Sequence, residues 1–551
     1  MTRSSVASAI VLLLVPPAAS TGLVEANDLA TVARINPEGL GGALLIVGGG
    51  RIPGEITDTF RELAGDDARL VVIPTASATA DDRPEEDAIE RWKQRGFDHV
   101  TLLHTRDRDR ADDPDFVAPL KEASAVWFGG GDQSRLANAY RGTAVEREVM
   151  AVRERGGVIG GTSAGAAIMS RVMITGGNPE ATVGEGFDLL PDAVVDQHFL
   201  ARNRRARLRG VLKAHPERFG VGIDEGTALV VVGRRMGVVG SSRVTIMMPA
   251  SSSRPEREFS VESGDVADLT ALRRAVRDRL LADFPPEVME PPRVDSGALV
   301  IVGGGAMPGE VLDRFVALAG GPEARIVVVP TAGEGRIPPI PRFVPGVKMF
   351  EDRGVRSVGV LYGRHPEEIE TPEQLAMLRE ATGIWFGGGR QWRFVDCYEG
   401  TAIVPLFREV LRRGGVIGGS SAGATIQGDY LVRGNPLGNW DMMAEGYERG
   451  FAFLPGVAID QHFTQRDRFG DLAAVVERFP QVLGIGVDEG TAFVVEGSVG
   501  EVVGRGAVHV LLRSRAVGAD GPLPAETLEA GSRFDLIERS RVESAASVDG
   551  R

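Results

Sequence analysis

Gly160-Gly161-Thr162-Ser163-Ala164-Gly165-Ala166 follows the apolar run Gly157-Val158-Ile159 and leads into Ala167-Ile168-Met169. A short buried strand, a turn of small residues with one hydroxyl at its apex, and a helix-forming run together have the layout of a nucleophile elbow. Small residues suit such an apex because a strained turn brings neighbouring side chains into collision, and glycine lacks the Cβ that collides. The Ser163 hydroxyl is thereby predicted at the carboxyl edge of a sheet. A helix N-terminus beneath it would offer N–H groups and positive dipole to a developing oxyanion. Taken alone, the stretch reads equally well as a glycine-rich turn without chemistry. It is not alone: Gly418-Gly419-Ser420-Ser421-Ala422-Gly423-Ala424, after Gly415-Val416-Ile417, repeats it far downstream.

The surroundings repeat as well. Gly42 to Gly50 with Pro53-Gly54-Glu55 recurs as Gly297 to Gly305 with Pro308-Gly309-Glu310, and Val71-Val72-Ile73-Pro74-Thr75-Ala76 as Val327-Val328-Val329-Pro330-Thr331-Ala332. Trp127-Phe128-Gly129-Gly130-Gly131 returns as Trp385-Phe386-Gly387-Gly388-Gly389, at the same distance before each serine. Asp196-Gln197-His198-Phe199 returns as Asp460-Gln461-His462-Phe463, and Gly222-Ile223-Asp224-Glu225-Gly226-Thr227 as Gly486-Val487-Asp488-Glu489-Gly490-Thr491. Landmarks in one order and at near-constant spacing mean one domain written twice. The reading places the repeats at residues 41–290 and 296–545, with a Pro-rich link ending at Pro291-Pro292. Within each repeat, short Val-, Ile- and Leu-rich runs alternate with amphipathic stretches such as Glu85 to Arg95 and Ala144 to Arg155. That pattern predicts α/β architecture: tandem three-layer domains with largely parallel sheets, whose ligands bind at the carboxyl ends of the strands.

A chain of 551 residues is too long for one core. Its formal charge of −14 argues against a nucleic-acid or anionic-membrane surface. Cys397 is the only cysteine, so neither an intrachain disulfide nor a thiolate metal cluster can form, and the seven histidines lack paired ligand spacing. Neither a metal nor a cofactor is expected. Gly48-Gly49-Gly50 does not have the spacing that cradles a pyrophosphate, so dinucleotide binding is discounted. At the N-terminus, Arg3, the apolar run Ala9 to Val15 and Pro16-Pro17-Ala18-Ala19-Ser20 have the layout of a secretory signal over residues 1–20. The protein is therefore expected to be exported, to the periplasm or beyond.

A serine nucleophile needs a base, and the base needs a third group to hold its tautomer. His198 and His462 are placed identically after the two serines. Asp196 and Asp460 have the look of orienters, although residues two apart on a strand share a face without their tips easily meeting. Asp224 and Asp488 read as orienters or as structural strand-end residues.

Together GGTSAGA, the upstream FGGGDQ and the downstream DQHFLARNRRARL resemble the S51 serine peptidases, a family that includes cyanophycinase and the aspartyl dipeptidase called peptidase E. The resemblance covers nearly all of each repeat and implies a fold similar to class I glutamine amidotransferases. It implies Ser163 as nucleophile, His198 as base and, as the acid, Glu180 in the loop after the serine. It implies an oxyanion hole from the Ala164 N–H and one from Gly130 or Gly131. Substrate-binding roles fall by the same resemblance on Gln133, Asp196, Gln197, Arg202, Arg204 and Arg207, arginines being suited to free carboxylates.

The second copy departs from this pattern. Leu437 stands opposite Glu180, with Asp441 the nearest acid, and Asp471 stands where Arg207 does. Gln391, Arg466 and Arg468 persist. Ser421 and His462 are then expected to form a dyad of altered specificity or a decayed site, with Ser163 carrying most of the activity. The implied function is a serine peptidase that hydrolyses aspartyl or β-aspartyl-arginine polymers, its two repeats packed as an internal pseudo-dimer. The alternatives are a peptidase E-like aspartyl dipeptidase and a polymer-binding duplicate without catalysis.

Overall fold

A computed structural model describes residues 34–82, 85–512 and 525–543. The expected signal, residues 1–20, lies outside them. Each repeat is built on a central strand, Ala43–Val47 and Val294–Val302, that the sequence writes as an apolar run over the whole of the first and from Ala298 to Val302 in the second. Leu44 and Ile46 enter one core layer, while Ala43, Leu45 and Val47 enter another. Burial on both faces is what removes the polar alternation of a surface strand.

The first repeat's main sheet runs His99–Leu102, Arg69–Ile73, Ala125–Phe128, Val158–Thr162, Ala43–Val47, Thr227–Val232, Arg235–Gly240, Val266–Asp268. The strands up to Ala43–Val47 are parallel, and the remaining ones antiparallel. A second, four-stranded sheet holds Ala193–Gln197 parallel to Phe219–Ile223, followed by Val244–Met248 and Arg257–Val261. The fold is α/β as expected, with the parallel order concentrated around the central strand. The second repeat has the same plan in sheets of nine and five strands, Val416–Ser420 lying beside Val294–Val302.

The helices fill the predicted amphipathic stretches. Ala144–Glu154 buries Val145, Val149 and Val152 on one stripe, and Ile403–Arg412 does the same with Ile403, Phe407 and Val410. The elbow helix is shorter than expected. Ala164–Ala167 is a single turn, so what it offers the nucleophile is free first-turn amides rather than a macrodipole.

Between the repeats, arginines of the first meet carboxylates of the second. Arg234 Nη1 lies 2.8 Å from Asp396 Oδ2 and its Nη2 donates to Tyr447 Oη at 2.9 Å. The helix Leu269–Asp278 brings Arg274 within 2.7 Å and Arg277 within 2.8 Å of Glu399, and Arg279 Nε reaches Glu445 at 2.5 Å. Arg274 and Asp396 are buried. Such pairs contribute little net stability but make mismatched docking costly, because a displaced partner is left as an uncompensated buried charge.

Candidate active site

The elbow forms as the sequence predicts. Ser163 has φ 53° and Ser421 φ 57°, left-handed conformations that a non-glycine residue holds only when its surroundings over-determine it. Gly165 shows why small residues surround the apex: a Cβ there would lie 2.3 Å from the Phe128 carbonyl oxygen.

The central strand's exit assembles the rest. Val47 O accepts from the Ser163 N–H at 3.0 Å, Gly48 O from the His198 N–H at 2.7 Å, and Gly49 O from the Gly226 N–H at 3.0 Å. In the second repeat Val302, Gly303 and Gly304 accept from Ser421, His462 and Gly490 at 3.0, 2.8 and 2.8 Å. Consecutive carbonyls thus tie down the three segments that meet at the site. Gly49, φ 102°, has a further requirement: a Cβ there would sit 2.3 Å from His198 Cε1. The triple glycine that superficially suggests a nucleotide loop is the floor under the imidazole.

His198 Nε2 lies 3.0 Å from Ser163 Oγ, and its Nδ1 lies 2.5 Å from Glu225 Oε1. His462 stands 2.9 Å from Ser421 Oγ and 2.5 Å from Glu489 Oε1. A carboxylate accepting from Nδ1–H leaves the Nε2 lone pair facing the serine hydroxyl, the tautomer a general base needs. Strand register explains the meeting. Gln197 pairs with Ile223 in parallel strands, so His198 and Glu225 leave adjacent strand ends; Gln461 pairs with Val487 in the same way.

The acid is therefore not Glu180. That residue lies exposed in the loop after the strand Val172–Gly176, and the ring is held by Glu225. Leu437 in the second copy consequently removes nothing from the His462 pair. Asp224 and Asp488 brace the loops instead: Asp224 accepts from the Ala201 N–H and Ser242 Oγ, Asp488 from the Thr464 N–H and Oγ1. Burial pushes the Asp488 carboxyl up, but His509, Thr464 and the Ala507 N–H outweigh it and hold its pKa down to about 2.

Several residues assigned to substrate are occupied by the protein. Asp196 is fully buried and bonds Arg207, through Nε at 3.0 Å and through Nη2, so it does not reach the imidazole. Arg207 is also buried and donates to Gly177 O at 3.0 Å; Arg204 Nη1 donates to Gln197 O at 2.6 Å. In the second copy Arg433 takes the place of the missing guanidinium: its Nη2 is 3.0 Å from Asp460 and 2.6 Å from Asp471, while Arg468 Nη1 is 2.7 Å from Asp460. The buried cation is kept although its position in the sequence has moved. Gln133 and Gln391 spend their amides on the carbonyls of Ile174 and Thr175, and of Val432 and Arg433.

Arg202 and Arg466 are exposed, make no side-chain bond among the described residues, and lie close enough to their histidines to disfavour the imidazolium. Gln197 and Gln461 are buried with Oε1 unpartnered in both copies. At the apex, Ala164 is a first-turn residue with a free amide. Among the described residues neither Gly130 nor Gly131 donates to a backbone carbonyl, whereas Gly129 donates to Ile73 O and Asp132 to Ala76 O. A Cβ on Gly130 would stand 3.6 Å from Ser163 Cβ, which places that residue beside the nucleophile. The arrangement can deliver a serine to a carbonyl and meet the resulting oxyanion with N–H donors.

A model of peptidase family S51 matches residues 44–239 and again 299–503. The chain belongs to peptidase family S51. It is a serine peptidase written in tandem. It is 38% identical over 272 residues to a cyanophycinase of Trichormus variabilis, covering 46% of this chain and 90% of that protein. With a cyanophycinase of Geminocystis herdmanii it shares 35% over 221 residues, 37% of this chain and 80% of the relative. A crystal structure of a peptidase from an acI-B1 Actinobacterium aligns at 26% identity with a TM-score of 0.34, over 42% of this chain and 98% of that one.

Burial holds both histidines below their ordinary value of 6.5, opposed by the hydrogen bond that each donates to its glutamate. A base must be neutral to act, so the acidic limb of kcat/KM is expected below pH 6.5. Glu225→Gln removes the group that raises the His198 value, so the limb moves further down. In a Ser421→Ala background the rate is expected to fall about 10⁴-fold, as for loss of the orienting carboxylate in a serine triad. An unchanged rate and limb would show that Glu225 does not orient the base.

Proposed function

We propose that both repeats are working serine peptidase sites, Ser163-His198-Glu225 and Ser421-His462-Glu489, that hydrolyse aspartyl or β-aspartyl-arginine peptides and polymers. The observation that carries this reading is the same Oγ, Nε2 and Nδ1 to carboxylate geometry in both copies. The serine oxygen attacks the scissile carbonyl while Nε2 takes its proton, and the glutamate stabilises the imidazolium. The amides of Ala164 and Gly130 meet the oxyanion. His198 then returns the proton to the leaving amine, and water releases the acyl group by the same route.

The substrate class rests on the cyanophycinase relatives and on the exposed cations Arg202 and Arg466 beside each histidine, suited to a free carboxylate. Gln197 and Gln461, each next to its histidine in the chain, keep unpartnered buried amide oxygens. The arginine-carboxylate contacts support the packing of the two repeats as an internal pair, one-sided in its charges where a two-fold dimer would be reciprocal. Export remains part of the proposal. N-terminal sequencing of the protein made by its own host tests it, with a start between roughly Ala18 and Ala26 expected and an intact Met1 contradicting it.

Ser163→Ala and Ser421→Ala are each expected to retain hydrolysis of β-aspartyl peptides, and the double variant to lose it by several orders of magnitude. If one single variant is as inactive as the double, the other site does not work.

A further inference from the structure

The two sites share their chemistry but not the charge at their rims. Asp132 follows the glycine turn that packs beside Ser163; its carboxylate is exposed, and the one bond it makes among the described residues is with the Ser134 N–H at 2.8 Å. At the same step after the second turn stands Arg390, whose Nη2 donates to Asn435 O at 2.7 Å while Nε has no partner. The facing loops differ in the same sense. In the first repeat this loop carries exposed Glu180 and docks through Asn178 Nδ2 on Arg202 O, at 3.1 Å. In the second it carries exposed Leu437.

Other charges near the turns do not undo the contrast. Arg135 and Arg393 hold equivalent places, each donating to the carbonyl of Ala76 or Ala332. Arg202 and Arg466 match beside the histidines. The second copy adds Glu334, highly exposed and 3.8 Å from Arg393, and Asp467 in place of Asn203. Neither lies on the glycine turn itself, and Glu334, which also acts on Arg390, offsets that cation only in part because its own carboxylate is solvated.

We propose that the exchange of Asp132 for Arg390 gives the two sites opposite substrate preference. The Ser163 site takes aspartyl peptides whose residue beside the scissile bond carries a guanidinium or ammonium group, and the Ser421 site takes those carrying a carboxylate there. This rests on reading both serines as nucleophiles. One chain would then trim a mixed aspartyl polymer that a single site would stall on.

The test uses full-length Ser421→Ala and Ser163→Ala chains with β-aspartyl-arginine, β-aspartyl-leucine and β-aspartyl-glutamate. The kcat/KM ratio of the arginine to the glutamate peptide is expected above about fivefold for Ser421→Ala and below one for Ser163→Ala, the scale of a partly exposed ion pair. Asp132→Arg in the first chain and Arg390→Asp in the second should each move that ratio about fivefold toward the other site's value. Asp132→Asn and Arg390→Gln, which remove charge with little change in shape, should move it part of the way. Ratios within twofold of each other in the two chains, or unmoved by these variants, overturn the proposal alone. A Ser163→Ala chain that cleaves none of the three peptides overturns the reading of Ser421 as a nucleophile, and this proposal with it.

Discussion

Successive carbonyls at the end of one buried strand hold the site together. Val47, Gly48 and Gly49 accept the amides of Ser163, His198 and Gly226, the residue after Glu225. These three segments come from distant parts of the repeat. Each bond is local and ordinary, but together they fix the relative height of nucleophile, base and acid to within the range that proton transfer needs. The cost is visible in the backbone: Ser163 and His198 have φ 53° and 49°, and Ser421 and His462 φ 57° and 50°. Strain of this kind persists only where packing and hydrogen bonds leave no alternative. The glycine under the imidazole belongs to the same constraint, since the strand exit can approach the ring only without a Cβ.

The copies diverge in ways that spare this arrangement. Loss of the arginine at position 471 is answered by Arg433, so the buried Asp460 keeps its guanidinium partners. An unpaired carboxylate at that depth would cost several kcal/mol, of the order of about 3–5, which explains why the cation moves rather than disappears. Divergence instead accumulates after the glycine turns, where Asp132 of the first repeat corresponds to Arg390 of the second. The contact between the repeats is one-sided in charge: Arg234, Arg274, Arg277 and Arg279 lie on the first, Asp396, Glu399 and Glu445 on the second. Fusion makes such asymmetry possible, because each surface has only one partner to satisfy.

Much of this was legible in the sequence. The elbow, the duplication, the alternation of apolar strands with amphipathic helices, and the two histidines follow from pattern and repetition. Glu225 and Glu489 were in plain view within a repeated landmark, but their role depends on which strand ends lie side by side. That is a matter of register between Ala193–Gln197 and Phe219–Ile223, which no local pattern encodes. Arg207 and Gln133 misled for the opposite reason. Their residue types suit a ligand, and only the three-dimensional packing shows that buried carbonyls and Asp196 already occupy them. The triple glycine had a purpose that became apparent only once the imidazole lay over it.

The central claim is that one chain carries two activated serines. Reaction of the full chain with an excess of a fluorophosphonate, followed by intact mass measurement and peptide mapping, counts them directly. The account predicts two adducts per chain, one on Ser163 and one on Ser421. A single adduct, or none, would contradict it.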